Sequence, residues 1–548
     1  MPRVHSSLLA PITATILFSA GLAPSALSQS SPSQDPAHAH SPGAERLGKV
    51  EFKLECNAAA QEEFNRAMAL YHSFVWPAAA ASFEAVVQKD PTCGMAHWGR
   101  ALVILDNPFT WPANLAPKLA SVSAALDAAR STGLKSQREN DYVDAVSAFV
   151  RDHDKVDHRT RLQAYDDAMS RLAARYPDDK EAVILSALVT SANFNPADKT
   201  YANQLKAARI LEPLVRSDPD HPGVAHYMIH SYDYPPIAKH GVEAAKQYAK
   251  IAPDSPHAVH MPSHIFTRLG HWRDSIESNR WSSRTASPET FDGHHAHDYL
   301  VYAHLQLAQD RAAREALERS RGMKLVDNFA AAYAYAAMPA RLVLERSDWA
   351  GAMNLPLEPS PDVYPWKKYP QSEAVNAFAR GLGAARNGNA DAARQQQARL
   401  LSLRDAAQEA KLGYWVEQID IQAALVGGLA LCAEAKAEEC IAELRRAAAR
   451  EDATEKHAVT PGPIIPAREI LADLLLASGK AEEAVREYEA VLAKEPNRYR
   501  PTLGAARAAR SAGDQDRARG FFKRLVELGQ EADTERDGLD EARQASRG

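Results

Sequence analysis

At 548 residues the chain is too long for one compact core, so internal repeats take precedence over a domain count. Lys and Arg (64) nearly balance Asp and Glu (70), giving a net charge of -6. That balance, with no basic run interleaved with aromatics, excludes a strong electrostatic drive toward nucleic acid.

The first 28 residues read as a signal peptide. Arg3 and His5 precede an apolar stretch from Leu8 to Leu22, and small residues around Ala26-Leu27-Ser28 offer a cleavage site before Gln29. A membrane anchor is the weaker reading, because Pro11 and Pro24 interrupt a run already short of the ~20 residues needed to span. No Cys follows the run, which argues against a lipid anchor, and no other segment reads as apolar enough to cross a bilayer. The expected location is periplasmic or secreted, with no stable membrane insertion after cleavage. Residues 29–47, rich in Ser, Pro, Gln, Ala and His, form a spacer with too little apolar surface to fold. Four cysteines in an exported chain are compatible with two disulfides. Cys432 and Cys440 flank a hairpin turn, and Cys56 and Cys93 begin two successive units; connectivity stays open, as does the reading of four buried thiols.

Residues 48–350 match a repeat near 34 residues loosely. Ala67, Ala79, Phe83 and Pro91 mark one unit, and a unit with Trp98 follows. Pro219 and Pro253 stand one repeat apart, as do Pro222 and Pro256. Asp106 to Trp111 and Asn193 to Pro196 read as loops at the rim of a groove. Further hairpins turn at Leu269-Gly270, Gln309-Asp310 and Arg346 to Trp349. Residues 351–371 carry five prolines and read as a loop. Residues 372–530 resume the array and 531–548 form a charged tail. The clearest unit lies here: Leu471, Ala472, Leu475, Gly479, Ala484, Tyr488 and Pro496, continued by Ala505, Ala506, Gly513, Ala518 and Phe522. Small Ala positions let paired helices approach, large residues fill between them, Gly takes the turn and Pro ends the second helix. With almost no strand signal, the predicted fold is all-α.

Histidine is unevenly placed. His226 and His230 are four apart, and His257, His260 and His264 fall at i, i+3 and i+7. Each set makes one stripe on a helix. His295, Asp298 and Tyr302 repeat the pattern in the next unit. Neighbouring helices pack about 10 Å apart, so these rings can converge. The chemistry this suits is binding of a divalent transition metal, Zn, Cu or Fe, by His226, His230, His257, His260, His264, His295 and Asp298. Asp233 is a second carboxylate candidate, as ligand or as orienter of a His. Pro262 tests the idea: outside a first turn it kinks the helix and takes the stripe out of register. Phosphate-loop, nucleophile-elbow and H-E-x-x-H signatures are all absent from the sequence.

The C-terminal units resemble tetratricopeptide repeats, whose fold is a right-handed superhelical solenoid of helical hairpins and whose usual role is protein–protein interaction. Met95 to Gly99, His260 to Phe266 and Asp298 to Tyr302 resemble segments of large bacterial tetratricopeptide proteins with His-rich central repeats. In tetratricopeptide arrays the positions held by the His stripes line the concave groove. Three functions follow as expectations: an exported scaffold for a protein or peptide partner, a metal-dependent hydrolase or oxidoreductase, or a purely structural array with hydrogen-bonded His.

Overall fold

Asn57 opens the first helix, Ala58–His72, by accepting the Ala60 N–H at 2.9 Å. Similar local rules repeat down the chain. Ser136, Asp157 and Asp179 cap the helices Gln137–Val150, His158–Arg175 and Lys180–Ala192. Gly479 takes a φ of 74° at a C-terminal hairpin turn, a region that strains other residues. The computed structural model describes residues 45–111 and 115–546; the expected signal peptide and the expected spacer as far as residue 44 lie outside the described residues. Successive helices pack on their sequence neighbours, and among the described residues there is no strand. The fold is an all-α solenoid of helical hairpins.

Disulfides join Cys56 to Cys93 and Cys432 to Cys440. Each closes one local unit of the array. One apolar core runs from Leu47 to Phe266 and includes Phe64, Trp98 and Tyr142. A second runs from Ala308 to Ala542. A small third cluster joins Trp272 and Val301 to Leu528, so the last hairpins pack back against the central repeats. There the Trp272 indole donates to the Asn497 carbonyl at 2.7 Å. Gly270 caps the neighbouring helix with φ +66, and a Cβ on it would clash with the Pro496 carbonyl.

The proline-rich stretch is shorter than its composition suggested. Helices Trp349–Met353 and Pro370–Arg386 take both its ends, and a single 3-10 turn, Trp366–Lys368, lies between. Among the described residues one helix, Gly413–Ala433, is long and apolar enough by composition to cross a bilayer, which corrects the reading that none is. Its Ile419, Val426 and Leu429 are buried in the second core, which accounts for that composition.

The segment 454–466 links helices Ala437–Ala453 and Ala467–Ala477 and crosses to the central repeats. Lys456 meets Asp233 at 2.6 Å, with both side chains buried. Glu455 pairs with Lys199 at 2.7 Å, and Arg341 donates to the Gly462 and Pro463 carbonyls. This strap lies against the repeats that carry the histidines.

Candidate metal centre

Two successive units begin alike. Pro222 and Pro256 each occupy the first position of a helix, where the missing N–H has no helical partner to lose. The preceding His221 and Ser255 accept from Gly223 and Ala258 N–H. From this shared register, the pair His226/His230 recurs one repeat later as His260/His264. The helix does break at Pro262: Pro256–His260 ends, Pro262–Leu269 begins, and Met261 between them keeps helical dihedrals of φ -54, ψ -34. The proline therefore interrupts the helix while the backbone keeps helical dihedrals. His260 and His264 stay together across this break, and the predicted stripe divides instead between His257 and His260.

Six rings form two sets of three. His257 turns back to the earlier pair: its Nε2 and that of His230 each lie 3.1 Å from His226 Nε2. The next pair has His260 Nε2 and His264 Nε2 at 3.1 Å. His295, from helix Asp292–Gln306, completes that set, its ring 4.4 Å from His260 between centroids. Within each set the candidate ligand nitrogens lie within 4.8 Å of one another. The sets adjoin: His257 to His260 is 6.3 Å and His230 to His264 is 6.2 Å between ring centroids.

The outer ring nitrogens fix where the protons are. His260 Nδ1 lies 2.7 Å from Asn279 Oδ1, and the Asn279 amide nitrogen donates to the Ser275 carbonyl, so Oδ1 must accept. His264 Nδ1 donates to Asp233 Oδ2 at 2.9 Å. His226 Nδ1 donates to the His72 carbonyl at 2.6 Å. Burial drives all six imidazoles toward neutrality, His226 down to about 3 and His260 down to about 4, with the Lys456 cation adding to the effect at His260 and His264. Neutral rings that spend their one proton on Nδ1 keep a lone pair on Nε2. Between His260 and His264 two such lone pairs face each other. A cation bound by both relieves the repulsion: at about 2.1 Å from each nitrogen it would subtend about 95°.

A third cluster shows the contrast. His72 and His221 direct their Nε2 to the two oxygens of Glu181, at 2.9 and 2.7 Å, and His72 Nδ1 pairs with the Tyr227 hydroxyl at 2.8 Å. Each polar atom there has a complementary partner, so the cluster is complete without an ion. It buttresses the first set, since His72 supplies the carbonyl that orients His226. His294, His297 and His304 are also held by local hydrogen bonds.

Asp298 is not brought to the cluster. It faces Arg341 at 3.4 Å, and burial raises its pKa to about 6. Tyr302 likewise turns away, to Glu495. The i+4 neighbour of His295 is the one that faces the site: the Tyr299 hydroxyl lies 3.4 Å from His264 Nε2. Asp233, the second carboxylate candidate, holds the His264 ring through Nδ1. Asn279, Tyr299 and Lys456 were not among the residues the spacing pointed to. A polar residue buried in Trp272–Thr285 and a lysine some 200 residues downstream carry no local pattern.

Residues 475–537 match the family model for the tetratricopeptide repeat, across the hairpins that dock on Trp272. That segment carries tetratricopeptide repeats. Such arrays serve in general as scaffolds for protein interaction. Among solved structures, the P58(IPK) TPR domain is 12% identical, with 83% of this chain and 99% of that one covered and a TM-score of 0.22. The human IFIT1 dimer with PPP-AAAA is 12% identical, with 87% and 96% covered and a TM-score of 0.37. Yeast Tom70 is 12% identical, with 89% of each chain covered and a TM-score of 0.29. Overlaps this loose carry no functional argument. No curated protein matches the chain.

Proposed function

We propose that this tetratricopeptide protein is an exported metalloprotein whose two three-histidine sets hold a pair of copper ions for oxidation–reduction chemistry. One observation carries the reading: proton-free nitrogens of His260 and His264 face each other at 3.1 Å inside the protein. Six neutral imidazoles and no carboxylate ligand select the metal. Imidazole suits Zn, Cu, Fe and Ni, whereas carboxylates suit harder ions. Two divalent ions held only by neutral ligands in a buried site repel strongly. Two Cu(I) ions reduce the charge product fourfold. The site therefore favours a metal that has a stable monovalent state, and that metal is redox-active. Export fits the leader-like first 28 residues and the pairing of all four cysteines.

Elemental analysis of untagged protein, purified from cells grown with copper and zinc, tests the reading. About two copper ions per chain are expected. Metal at trace level, or content unchanged by His260→Ala/His264→Ala, would overturn it. Protein sequencing from the cell envelope tests export through a new N-terminus near Gln29.

The match over 475–537 supports a second role, docking of a protein partner on the C-terminal hairpins. Co-purification that persists in the His260→Ala/His264→Ala variant and is lost on deleting the segment would separate it from the metal role.

A further inference from the structure

A cavity of about 570 Å³ lies beside the first histidine set, with His230 and Asp233 among its lining. That volume is in the range of sites for small organic molecules and far exceeds what water or dioxygen needs. Six aromatic side chains line it: Phe109, Trp111, Phe194, Tyr234, Tyr414 and Trp415. They come from distant stretches of chain, the two rim loops and the start of helix Gly413–Ala433 among them. Lys456 and His457 of the strap complete the lining.

Four of the charged residues that line the cavity are paired. Lys456 holds Asp233 at 2.6 Å, Glu455 holds Lys199 at 2.7 Å, and Glu417 holds Arg450 at 2.9 Å. What the cavity offers a ligand is mainly ring faces and edges. Its chemistry toward a ring is already visible at His230, whose imidazole stacks on Phe109 with centroids 3.9 Å apart and planes 20° apart. Phe194 and Tyr234 meet edge to face at 6.1 Å. Aromatic pairs of both kinds select planar rings.

We propose, resting on the copper-pair reading, that this cavity binds a substituted dihydroxybenzene and presents it beside His230 for oxidation to the quinone by dioxygen. Two metals that each change charge by one match a donor of two electrons. Each substrate loses two electrons and two protons as its two C–OH groups become C=O. Two substrates thus supply the four electrons and four protons that convert one dioxygen to two waters. The step needs no other reductant or base.

Copper-loaded full-length protein and 4-methylcatechol as probe provide the test. Saturable oxygen uptake is expected, with one dioxygen consumed per two quinones formed. Phe194→Ala and Tyr234→Ala should each raise KM roughly tenfold, the scale of one lost aromatic contact. Their kcat should stay within roughly twofold and their copper content should not change. The zinc-loaded chain, which cannot turn over, should still shift the visible band of 4-nitrocatechol, and Phe194→Ala should weaken that binding by a similar factor. Copper bound without catechol-dependent uptake, or a KM unmoved by both variants, overturns the substrate assignment and leaves the metal reading standing. A chain that takes up no copper overturns both.

Discussion

His260 Nε2 and His264 Nε2 stand 3.1 Å apart while each ring gives its proton to an acceptor on the far side, Asn279 Oδ1 or Asp233 Oδ2. Metal-free protein therefore holds a local repulsion that metal removes. Copper or zinc should raise the unfolding midpoint, and a chelator should lower it. At a hundredfold excess of free metal over Kd the stabilisation is about 2.7 kcal/mol. Calorimetry with and without metal checks this, and His260→Ala/His264→Ala should abolish most of the difference. A midpoint indifferent to metal would contradict the assignment.

Asn279 is a positioning residue, because it fixes which nitrogen of His260 is bare. Asn279→Leu should weaken metal binding by about 10–100-fold, the usual cost of losing a partner of a ligand. Asn279→Asp keeps an acceptor at the same place and should restore most of the affinity. Titration with a competing chelator reads both. Equal loss in the two variants would point to packing damage instead.

The hairpin array was legible because its signals are local and periodic: Gly479 at a turn, small Ala pairs, Pro222 and Pro256 at equivalent starts. The six histidines were legible for the same reason, since helical spacing fixes a shared face. Which rings meet was not. His257 joins the preceding pair while His260 and His264 join His295 of the next unit, a division set by which neighbouring helix each ring meets and not contained in the i, i+3, i+7 spacing. Asp298 faces away because it pairs with Arg341, a buried cation on helix Phe329–Glu345. Lys456 reaches Asp233 only through the return of the strap, a contact set by tertiary packing.

Acid sensitivity should arise partly in the strap. His457 packs among Tyr414, Trp415 and Phe329, and burial lowers its pKa to about 3, against about 6.5 when unfolded. Between those values the unfolded chain binds a proton that the folded chain refuses, so stability falls as pH drops from 6.5 toward 3. Glu451 acts oppositely. Burial lifts it to about 7, so the folded chain keeps a proton that the unfolded chain has released above about 4.5, and stability falls as pH rises through that window. In metal-free protein, His457→Phe should lose less stability than the parent between pH 6.5 and 4. Glu451→Gln should lose less between pH 5 and 7.5. Urea midpoints across the range measure both slopes.

The two disulfides should differ in worth. Cys56 and Cys93 are 37 residues apart, and Cys432 and Cys440 are 8 apart. On the chain-entropy account the longer loop contributes about 4 kcal/mol and the shorter about 2.5 kcal/mol. Replacing Cys56 and Cys93 with Ala should therefore lower stability more than replacing Cys432 and Cys440. Denaturant unfolding of the two double variants tests the order, and the reverse order would show that the folded state is relieved of strain by losing the first bridge.

Lys456 should be the residue that ties the strap to the metal centre. Its ammonium meets Asp233 Oδ2 at 2.6 Å, and that same oxygen accepts the proton of His264. Removing one member of a buried ion pair costs about 3–5 kcal/mol, because the partner is left without its counter-charge. Here Arg268 remains 3.5 Å from the other Asp233 oxygen, so Lys456→Met should cost about 3 kcal/mol, the lower end. Lys456→Met/Asp233→Asn removes both charges and should cost less than the two single changes together. The single Lys456→Met change also leaves Asp233 a stronger acceptor for His264, so metal affinity should hold or rise while stability falls. Urea unfolding and metal titration on the same variant give opposite signs if the lysine anchors the strap. A fall in both would mean that the strap shapes the ligand set itself.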